Sequence, residues 1–345
     1  MATKVVRGGH GPEPRFARMT DREILRLRLC DLAVPMARTP VARRLQILRA
    51  ELDRRQIRVR PHAWFSSEWF SPDGEPGIAV PFFLAHPRLW RLEHKLMGHV
   101  EGGTYADCMK LLRHEMGHVV CSAYRLHYKP SFREHFGRFG TPYPTTYRAN
   151  PLSRRFVLHL DWWYAQSHPA EDFAETFAVW LWPKSRWRTG YQGWPALKKL
   201  EYVDEVMGEL RGEPPKRRFS KAIEPLRENR RLVADYYEER IAAGDREQLD
   251  FLDRDLFRIF DAGFAHRKRP PAAAFLRASR PQICKEAVRR TGHTEYTFDR
   301  ILRDCVKRCR ELKLRLRVSE REAREYAPKM LCRQAKNYQH HRIYL

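Results

Sequence analysis

The feature that most constrains the fold is the pattern His-Glu-Met-Gly-His, which begins at His114 and ends at His118. Residues four apart lie on one face of an α-helix, so the two histidines can direct ring nitrogens to one point. Apolar residues recur at helical spacing around the pattern, and Thr104, which follows two glycines, is a typical helix N-cap. The sequence therefore predicts a helix that carries both histidines on one face.

Two histidines at this spacing are a common way to hold a metal ion, zinc above all. Glu115 follows the first histidine and can reach a water molecule in the open coordination position of the ion. The ion lowers the pKa of such a water and a carboxylate accepts its proton, which is the chemistry of metal-assisted hydrolysis. The alternative interpretation is a buried amphipathic helix that carries two histidines without a metal.

A catalytic zinc ion usually has three protein ligands, so the chain has to supply one more. We choose Glu171, a carboxylate in the first turn of a second predicted helix that starts at Pro169. Glu175 lies one turn further on, where it can accept a hydrogen bond from the outer nitrogen of a ligand histidine. Ala174 and Ala178 share this face and would allow close approach to another helix. The alternative role for Glu171 alone is to stabilise the helix N-terminus.

The two motifs together resemble a known family. The pattern from His114 to His118 is followed by His-Pro-Ala-Glu-Asp-Phe-Ala-Glu-Thr, which begins at His168. This order resembles the gluzincin-type family of zinc-dependent metallopeptidases, and the segment Phe-Arg-Glu-His-Phe-Gly from Phe132 and the Tyr164-Ala pair add to the likeness. The likeness covers roughly residues 90–185. The chain departs from the family pattern because no cysteine-pair zinc ribbon precedes the catalytic part.

The resemblance implies a zincin-like fold, in which a small mixed sheet lies over the active-site helix and the glutamate helix packs behind it. It assigns zinc binding to His114, His118 and Glu171, and general acid and base catalysis to Glu115. Glu175 would orient one of the ligands.

The resemblance also implies a phenol that stabilises the oxyanion of the tetrahedral intermediate. Tyr164 lies where such enzymes often place this group, and we expect it to be catalytic. Tyr143 and Tyr147, on the predicted loop between the two motifs, could do the same work. His168 could donate a hydrogen bond in the transition state, although we expect it to cap the second helix.

The formal net charge of +24 is unevenly distributed along the 345 residues. Residues 1–60 carry 15 basic and 6 acidic side chains, residues 61–210 carry 17 and 16, and residues 211–345 carry 34 and 20. All nine tryptophans lie between Trp64 and Trp194. We therefore expect an α+β protein with a zincin-like metallopeptidase domain at 61–205, a basic helical N-terminal extension at 1–60 and a basic α-helical C-terminal region at 206–345.

The segment at 58–87 has the features of strands and turns, and Ile78 to Leu84 is an apolar strand candidate. Pro81 cannot donate a ladder hydrogen bond, which favours an edge strand or a bulge. An edge strand beside a metal site could hold a peptide by strand addition. The alternative is a core strand with a bend.

The chain after Glu201 has an almost entirely helical pattern. Helices are predicted at 202–211, 223–243, 249–260, 284–290, 298–316 and 320–337. One of them is strongly basic and carries Lys307, Arg308, Arg310, Lys313, Arg315 and Arg317. Such a helix could bind the phosphates of DNA or RNA, and the alternative is a solvated helical bundle. Cys305 and Cys309 are four apart, but no second cysteine pair matches them, which argues against a second metal site.

No apolar run reaches transmembrane length, and the first residues lack the apolar block of a signal peptide. The seven cysteines lack disulfide-scaffold spacing. We therefore expect a cytoplasmic protein with reduced thiols and no membrane partner. The expected function is a zinc metallopeptidase that hydrolyses a protein or peptide substrate through a zinc-bound water activated by Glu115. The alternative is a nucleic-acid-associated protein with a structural or vestigial zinc site. The sequence carries no signal for oligomeric state or cleavage specificity.

Overall fold

The structure is a computed structural model that describes residues 13–60, 62–144, 153–262, 268–291 and 294–341. These residues are mostly helical, with small two-stranded sheets, which is compatible with the α+β class. They form two compact units, one within Met1–Glu93 and Val100–Ala234 and one within His94–His99 and Asp235–Leu345. This division differs from the predicted one, because the N-terminal helices share a unit with both motifs and the boundary falls near residue 234 instead of 205.

The chain up to residue 234 contains eight α-helices and one parallel pair of strands among the described residues. The helices are α1 (Asp21–Leu25), α2 (Pro40–Arg54), α3 (Pro87–Met97), α4 (Tyr105–Tyr124), α5 (Pro130–Phe136), α6 (Pro169–Leu181), α7 (Trp187–Gly190) and α8 (Ala196–Glu209). The strands are β1 (Ala63–Ser66) and β2 (Ile78–Pro81). The predicted N-cap is confirmed, because the Thr104 side chain accepts a hydrogen bond from the backbone N–H of Asp107 at 3.1 Å.

Helix α6 lies at the centre of the first unit, and every residue from Ala170 to Leu181 is buried. It packs against α4, α8 and a 3-10 turn at Asp161–Gln166. Helix α4 also contacts α2 and β2. A helix that is buried on all sides does not show the one-sided apolar pattern of a surface helix. This explains why apolar residues lie on every face of α6, between its carboxylates.

Strand β2 is a core strand. All four of its residues are buried, and it pairs in parallel with β1, with Trp64 opposite Ala79. Ala79 also forms an antiparallel bridge with Phe70. Because the strand is paired on both sides at Ala79, the structure favours the bent core strand over the free edge that would accept a peptide by strand addition.

A buried ion pair joins α2 to α4. The guanidinium of Arg113 donates two hydrogen bonds to the carboxylate of Glu51, from Nε at 2.8 Å and from an Nη at 2.7 Å. Their side chains are only 9% and 4% exposed. A pair removed from water in this way is costly to break, because either partner alone would leave a buried charge unpaired.

The second unit has its own hydrophobic core. Its elements are α9 (Val233–Leu256), β3 (Phe260–Asp261), α10 (Ala272–Ala278), α11 (Arg280–Thr291), α12 (Glu295–Glu311), β4 (Arg315–Leu316) and α13 (Glu320–His341). Large buried side chains in this core include Phe260, Leu276, Phe298 and Leu331. Cys305 and Cys309 belong to it, and burial raises the pKa of the Cys309 thiol to about 12, which favours a packing role over metal binding.

Three details of the predicted helices are wrong. The separate helices expected at 223–243 and 249–260 are one helix, α9, which ends at Leu256. The segment at 223–243 becomes helical only at Val233, because the C=O groups of Asn229 and Arg231 accept hydrogen bonds from the N–H groups of Cys30 and Leu29 at 2.9 Å. The helix expected at 298–316 ends at Glu311, and the chain then forms β4.

Among the described residues, none of the helices combines the length and the apolar character that crossing a bilayer requires.

Candidate metal centre

Helix α4 places both histidines of the first motif in the interior. His114 is 3% exposed, and His118 follows one turn later on the same face. Between them lies Gly117, where a Cβ atom would come within 2.7 Å of the Cα of Ala174 on α6. The glycine therefore lets the two helices approach at the level of the motif.

Helix α6 brings Glu171 to the same place. His168 is its N-cap, as expected: its Nδ1 accepts a hydrogen bond from the N–H of Ala170 at 3.1 Å. The Nε2 of His168 donates to the C=O of Thr141 at 2.6 Å, which ties the cap to the preceding segment. With Pro169 in the first helical position, this cap fixes where the helix begins and so places Glu171 in its first turn.

The three predicted ligand atoms form a nearly equilateral triangle. His114 Nε2 and His118 Nε2 are 3.2 Å apart, and the Oε2 of Glu171 lies 3.0 Å from the first and 3.2 Å from the second. Tetrahedral zinc with bonds of about 2.0–2.1 Å requires ligand atoms about 3.3 Å apart. The observed edges match this requirement, and the donor set of two imidazoles and one carboxylate is typical of catalytic zinc. Among the described residues, no other group of three or more His, Cys, Asp or Glu side chains is close enough to hold a metal ion.

Glu175 holds one of the histidines from the opposite side. Its Oε1 lies 2.8 Å from Nδ1 of His114, and its Oε2 accepts a hydrogen bond from the N–H of Leu160 at 2.8 Å. The neighbouring His159 donates from Nε2 to the C=O of Lys110, one turn before His114 on α4. These contacts leave Nε2 of His114 directed at the triangle, which is the usual arrangement behind a metal ligand.

The centre is rich in negative charge. Burial alone would lower the pKa of His114, but hydrogen bonds to Glu171 and Glu175 and the nearby charge of Glu115 raise it to about 10. Burial opposes ionisation of Glu171 as well, yet His118 and His114 hold the pKa of its carboxyl well below the usual range. The cluster therefore favours a bound cation, which is a proton in the metal-free protein.

The environment of Glu115 suits a general base. Its side chain is 6% exposed, and its Oε2 has no hydrogen-bond partner in the described part of the chain. Its backbone C=O accepts a hydrogen bond from the hydroxyl of Ser71 at 3.1 Å. An unsatisfied buried carboxylate oxygen is costly, and a water or substrate group in the cleft would satisfy it.

Two of the three candidate phenols lie at the centre. The hydroxyl of Tyr143 donates to Oε1 of Glu171 at 2.7 Å, and its ring stacks on His168 with centroids 3.8 Å apart. Tyr164 lies in the 3-10 turn at Asp161–Gln166, with its ring centroid 5.7 Å from that of His114. Trp163 before it has a φ of +56°, which is strained for a bulky residue. Tyr147 lies outside the described residues.

A second buried charge pair supports α6 from behind. Asp172 is 2% exposed and pairs with the ammonium group of Lys199 on α8. The same ammonium group lies 4.3 Å from the ring centroid of Phe156. Burial raises the pKa of Asp172 to about 7, against the effect of Lys199. This pair fixes the rotation of α6, the helix that presents Glu171.

Sequence reasoning did not find the contacts of Leu160, His159 and Ser71. Leu160 acts through a backbone N–H and Ser71 binds a backbone C=O, so neither contact has a residue-type signal. His159 lies in a segment without helical or strand periodicity.

Comparisons of the chain with protein-family models, with curated proteins and with solved structures found no match.

Proposed function

We propose that this protein is a zinc-dependent metallopeptidase with a zincin-like catalytic domain in its first unit. The triangle of His114, His118 and Glu171 carries the proposal, because its edges suit tetrahedral zinc. The positions of β2 beside α4 and of α6 behind it also support it, since this is the layer order that the sequence resemblance implies.

A bound zinc ion would supply Lewis acidity and lower the pKa of a water molecule at its open position. Glu115 accepts the proton of the attacking water on its carboxylate and then gives it to the nitrogen of the leaving amine. Its unpartnered Oε2 leaves it free for both transfers. Glu175 keeps His114 oriented throughout through its hydrogen bond to Nδ1.

Tyr164 is the proposed oxyanion donor. Tyr143 is engaged with Glu171, so its hydroxyl proton is already committed to the ligand carboxylate. The strained backbone of Trp163 is consistent with a functional constraint on the position of the next residue.

The first test is the zinc content of the purified protein beside Glu171→Ala, measured by mass spectrometry after dialysis. We expect about one zinc per chain in the wild type and a strong loss in the variant, because two ligands hold zinc poorly. Glu115→Gln should retain zinc and lower hydrolysis of a fluorogenic protein substrate by about 10²–10⁴-fold. A wild type without zinc after reconstitution, or undiminished hydrolysis by Glu115→Gln, would refute the proposal.

The alternative, a nucleic-acid-associated protein, has weaker support in the basic C-terminal region. Arg308 pairs with Asp253 and Glu311 within the second unit. Arg315 and Arg317 donate to the backbone C=O groups of Arg269 and Phe257. Three of the six cations expected to bind phosphates thus have intramolecular partners. Tight, salt-sensitive DNA or RNA binding without metal-dependent cleavage would favour this alternative.

A further inference from the structure

A basic pocket lies at the C-terminal end of α4, within the first unit. It has a volume of about 790 Å³, which is in the usual range for ligand sites. Its charged lining consists of Arg125, Lys129, Arg133, Arg138, Arg217 and Asp73. Five cations therefore face one carboxylate, and nothing in the proposed mechanism uses them.

Most of these cations have no carboxylate partner. Lys129 pairs with Glu209 at 2.7 Å, but none of the four arginines forms an ion pair with another described residue. Arg217 lies over the backbone of Gly74 and is held by a hydrogen bond from its own N–H to the C=O of Ala123. Four guanidinium groups around one cavity, none of them in an ion pair with a described residue, create a positive potential that favours an anionic ligand.

The pocket and the candidate metal centre both lie along α4. Ser122, which lines it, lies on the same face of α4 as His118 and four residues further on, about 6 Å along the helix axis. Gly140, which also lines the pocket, precedes Thr141, whose C=O accepts the hydrogen bond from His168. A peptide bound at the candidate centre and extended along α4 toward Ser122 would therefore reach this pocket.

The aromatic rings in the pocket wall contact neighbouring side chains, and Tyr128 stays 68% exposed. The guanidinium of Arg125 lies 4.7 Å from the ring centroid of Tyr128, and His127 packs against the same ring at 4.2 Å. The ring of Phe139 stacks on His127 at 4.5 Å. The pocket wall thus offers one exposed ring, whereas proteins that bind single strands stack successive bases on several aromatic side chains.

We propose that this pocket binds acidic side chains of the peptide substrate. An extended peptide advances about 3.3 Å per residue, so a spacing of about 6 Å along α4 places the acidic side chain about two residues from the cleaved bond. The cleavage preference rests on the proposed metallopeptidase function, whereas binding of an acidic peptide to the pocket does not. The site thus selects substrates by carboxylate groups on one side of the scissile bond.

The test is fluorescence anisotropy with the zinc-loaded Glu115→Gln protein, which cannot consume its ligand. The probes are two fluorescein-labelled peptides that are identical except that a run of aspartates in one is replaced by asparagines in the other. We expect the aspartate peptide to bind at least about tenfold more tightly, and this difference to shrink as salt is raised.

Charge reversal of the pocket distinguishes it from general attraction to a basic protein. Arg133→Glu with Arg138→Glu should weaken binding of the aspartate peptide by about tenfold or more. Arg43→Glu with Arg49→Glu on α2 changes the net charge equally outside the pocket lining, and should have little effect. The neutral pair Arg133→Gln with Arg138→Gln should give an intermediate loss with an unchanged circular dichroism spectrum.

Equal binding of both peptides, or equal losses in the pocket and control variants, would overturn the proposal. Stronger binding of a single-stranded oligonucleotide that displaces the peptide would overturn the assignment to a peptide. A separate assay measures cleavage of the unlabelled peptides by the wild type. If neither is cleaved but the anisotropy results hold, the metallopeptidase function fails while the acidic-peptide site stands. If both are cleaved at equal rates, the proposed substrate preference fails.

Discussion

His114 is the residue on which the candidate centre depends most. Its Nδ1 contacts Glu175 and its Nε2 faces Glu171 and His118, so both ring nitrogens are committed. In the metal-free protein these carboxylates raise the pKa of His114 to about 10, although burial opposes the charge. A metal ion bound at the candidate centre would therefore compete with a proton for the same nitrogen.

This competition predicts a steep pH dependence of zinc affinity. Between pH 9 and pH 6 the apparent Kd should rise about tenfold for each unit of pH lost, because one proton has to leave His114. The protonated histidine also stabilises the metal-free fold, so that fold should lose stability as the pH rises from about 6.5 toward 10. Competition with a chromophoric chelator across this range measures the slope. A Kd that is independent of pH would show that His114 is neutral in the free protein.

The two phenols at the centre should differ in their effects. Tyr143→Phe removes the hydrogen bond to Oε1 of Glu171, so it should weaken zinc binding by about 10–100-fold. Tyr164→Phe should leave zinc binding nearly unchanged and lower kcat by about 10²–10³-fold, as loss of an oxyanion donor does. Zinc titration and steady-state kinetics on the two variants separate these effects. If the roles are exchanged, the oxyanion donor is Tyr143.

Helices α4 and α6 meet at a contact that tolerates no extra atom. A methyl group on Gly117 would lie 2.7 Å from the Cα of Ala174, and the neighbour is backbone that cannot rotate away. The two histidines lie on one of these helices and Glu171 on the other. The spacing between the helices therefore sets the size of the ligand triangle.

Gly117→Ala should consequently separate the ligands and weaken zinc binding by about tenfold or more. The matched control is Gly208→Ala on α8, where an added Cβ meets no atom within 4 Å. That change should stabilise the protein by about 0.5–1 kcal/mol, because glycine loses more backbone entropy than alanine on folding. Zinc affinity and the unfolding midpoint of both variants test the pair. Unaltered zinc affinity in Gly117→Ala would show that α6 can shift without disturbing the centre.

Local patterns in the sequence were sufficient to place the motif helices, the caps at Thr104 and His168 and the face shared by Glu171 and Glu175. These features depend on residues a few positions apart, where periodicity and capping chemistry are informative. The late start of α9 could not be predicted in this way, because its cause is hydrogen bonding to Leu29 and Cys30, about 200 residues away.

For the candidate centre, too, local features could be predicted from the sequence and distant contacts could not. The sequence named the side chains that meet at the triangle, because they belong to two motifs with fixed internal spacing. It did not indicate that Tyr143 binds Glu171 or that the N–H of Leu160 binds Glu175, since those contacts depend on how the segment between the motifs folds back. Every residue type except proline has a backbone N–H, so the residue type does not reveal such a donor.

Considered as a whole, the molecule has a separate core in each of its two units. The candidate metal centre belongs to the first unit, whereas the second is a helical assembly around Phe260, Phe298 and Leu331. A ligand stabilises only the cooperative unit that binds it.

Calorimetry should therefore show two unfolding transitions that respond differently to zinc. At a free zinc concentration about 100 times its Kd, the first unit should gain about 2.7 kcal/mol, while the other transition stays in place. Leu276→Ala, which truncates the second core, should lower only the zinc-insensitive transition. A single transition, or an equal shift of both by zinc, would mean that the units unfold together.

The buried pair of Glu51 and Arg113 determines how far the chain can be shortened without disturbing the candidate metal centre. Arg113 is the direct neighbour of His114, and its only carboxylate partner among the described residues is supplied by α2. A shortened chain that begins after α2 would leave a guanidinium without its counter-ion beside the first candidate metal ligand. The two motifs therefore depend on α2, and a shortened chain that keeps the candidate centre intact has to start before Pro40.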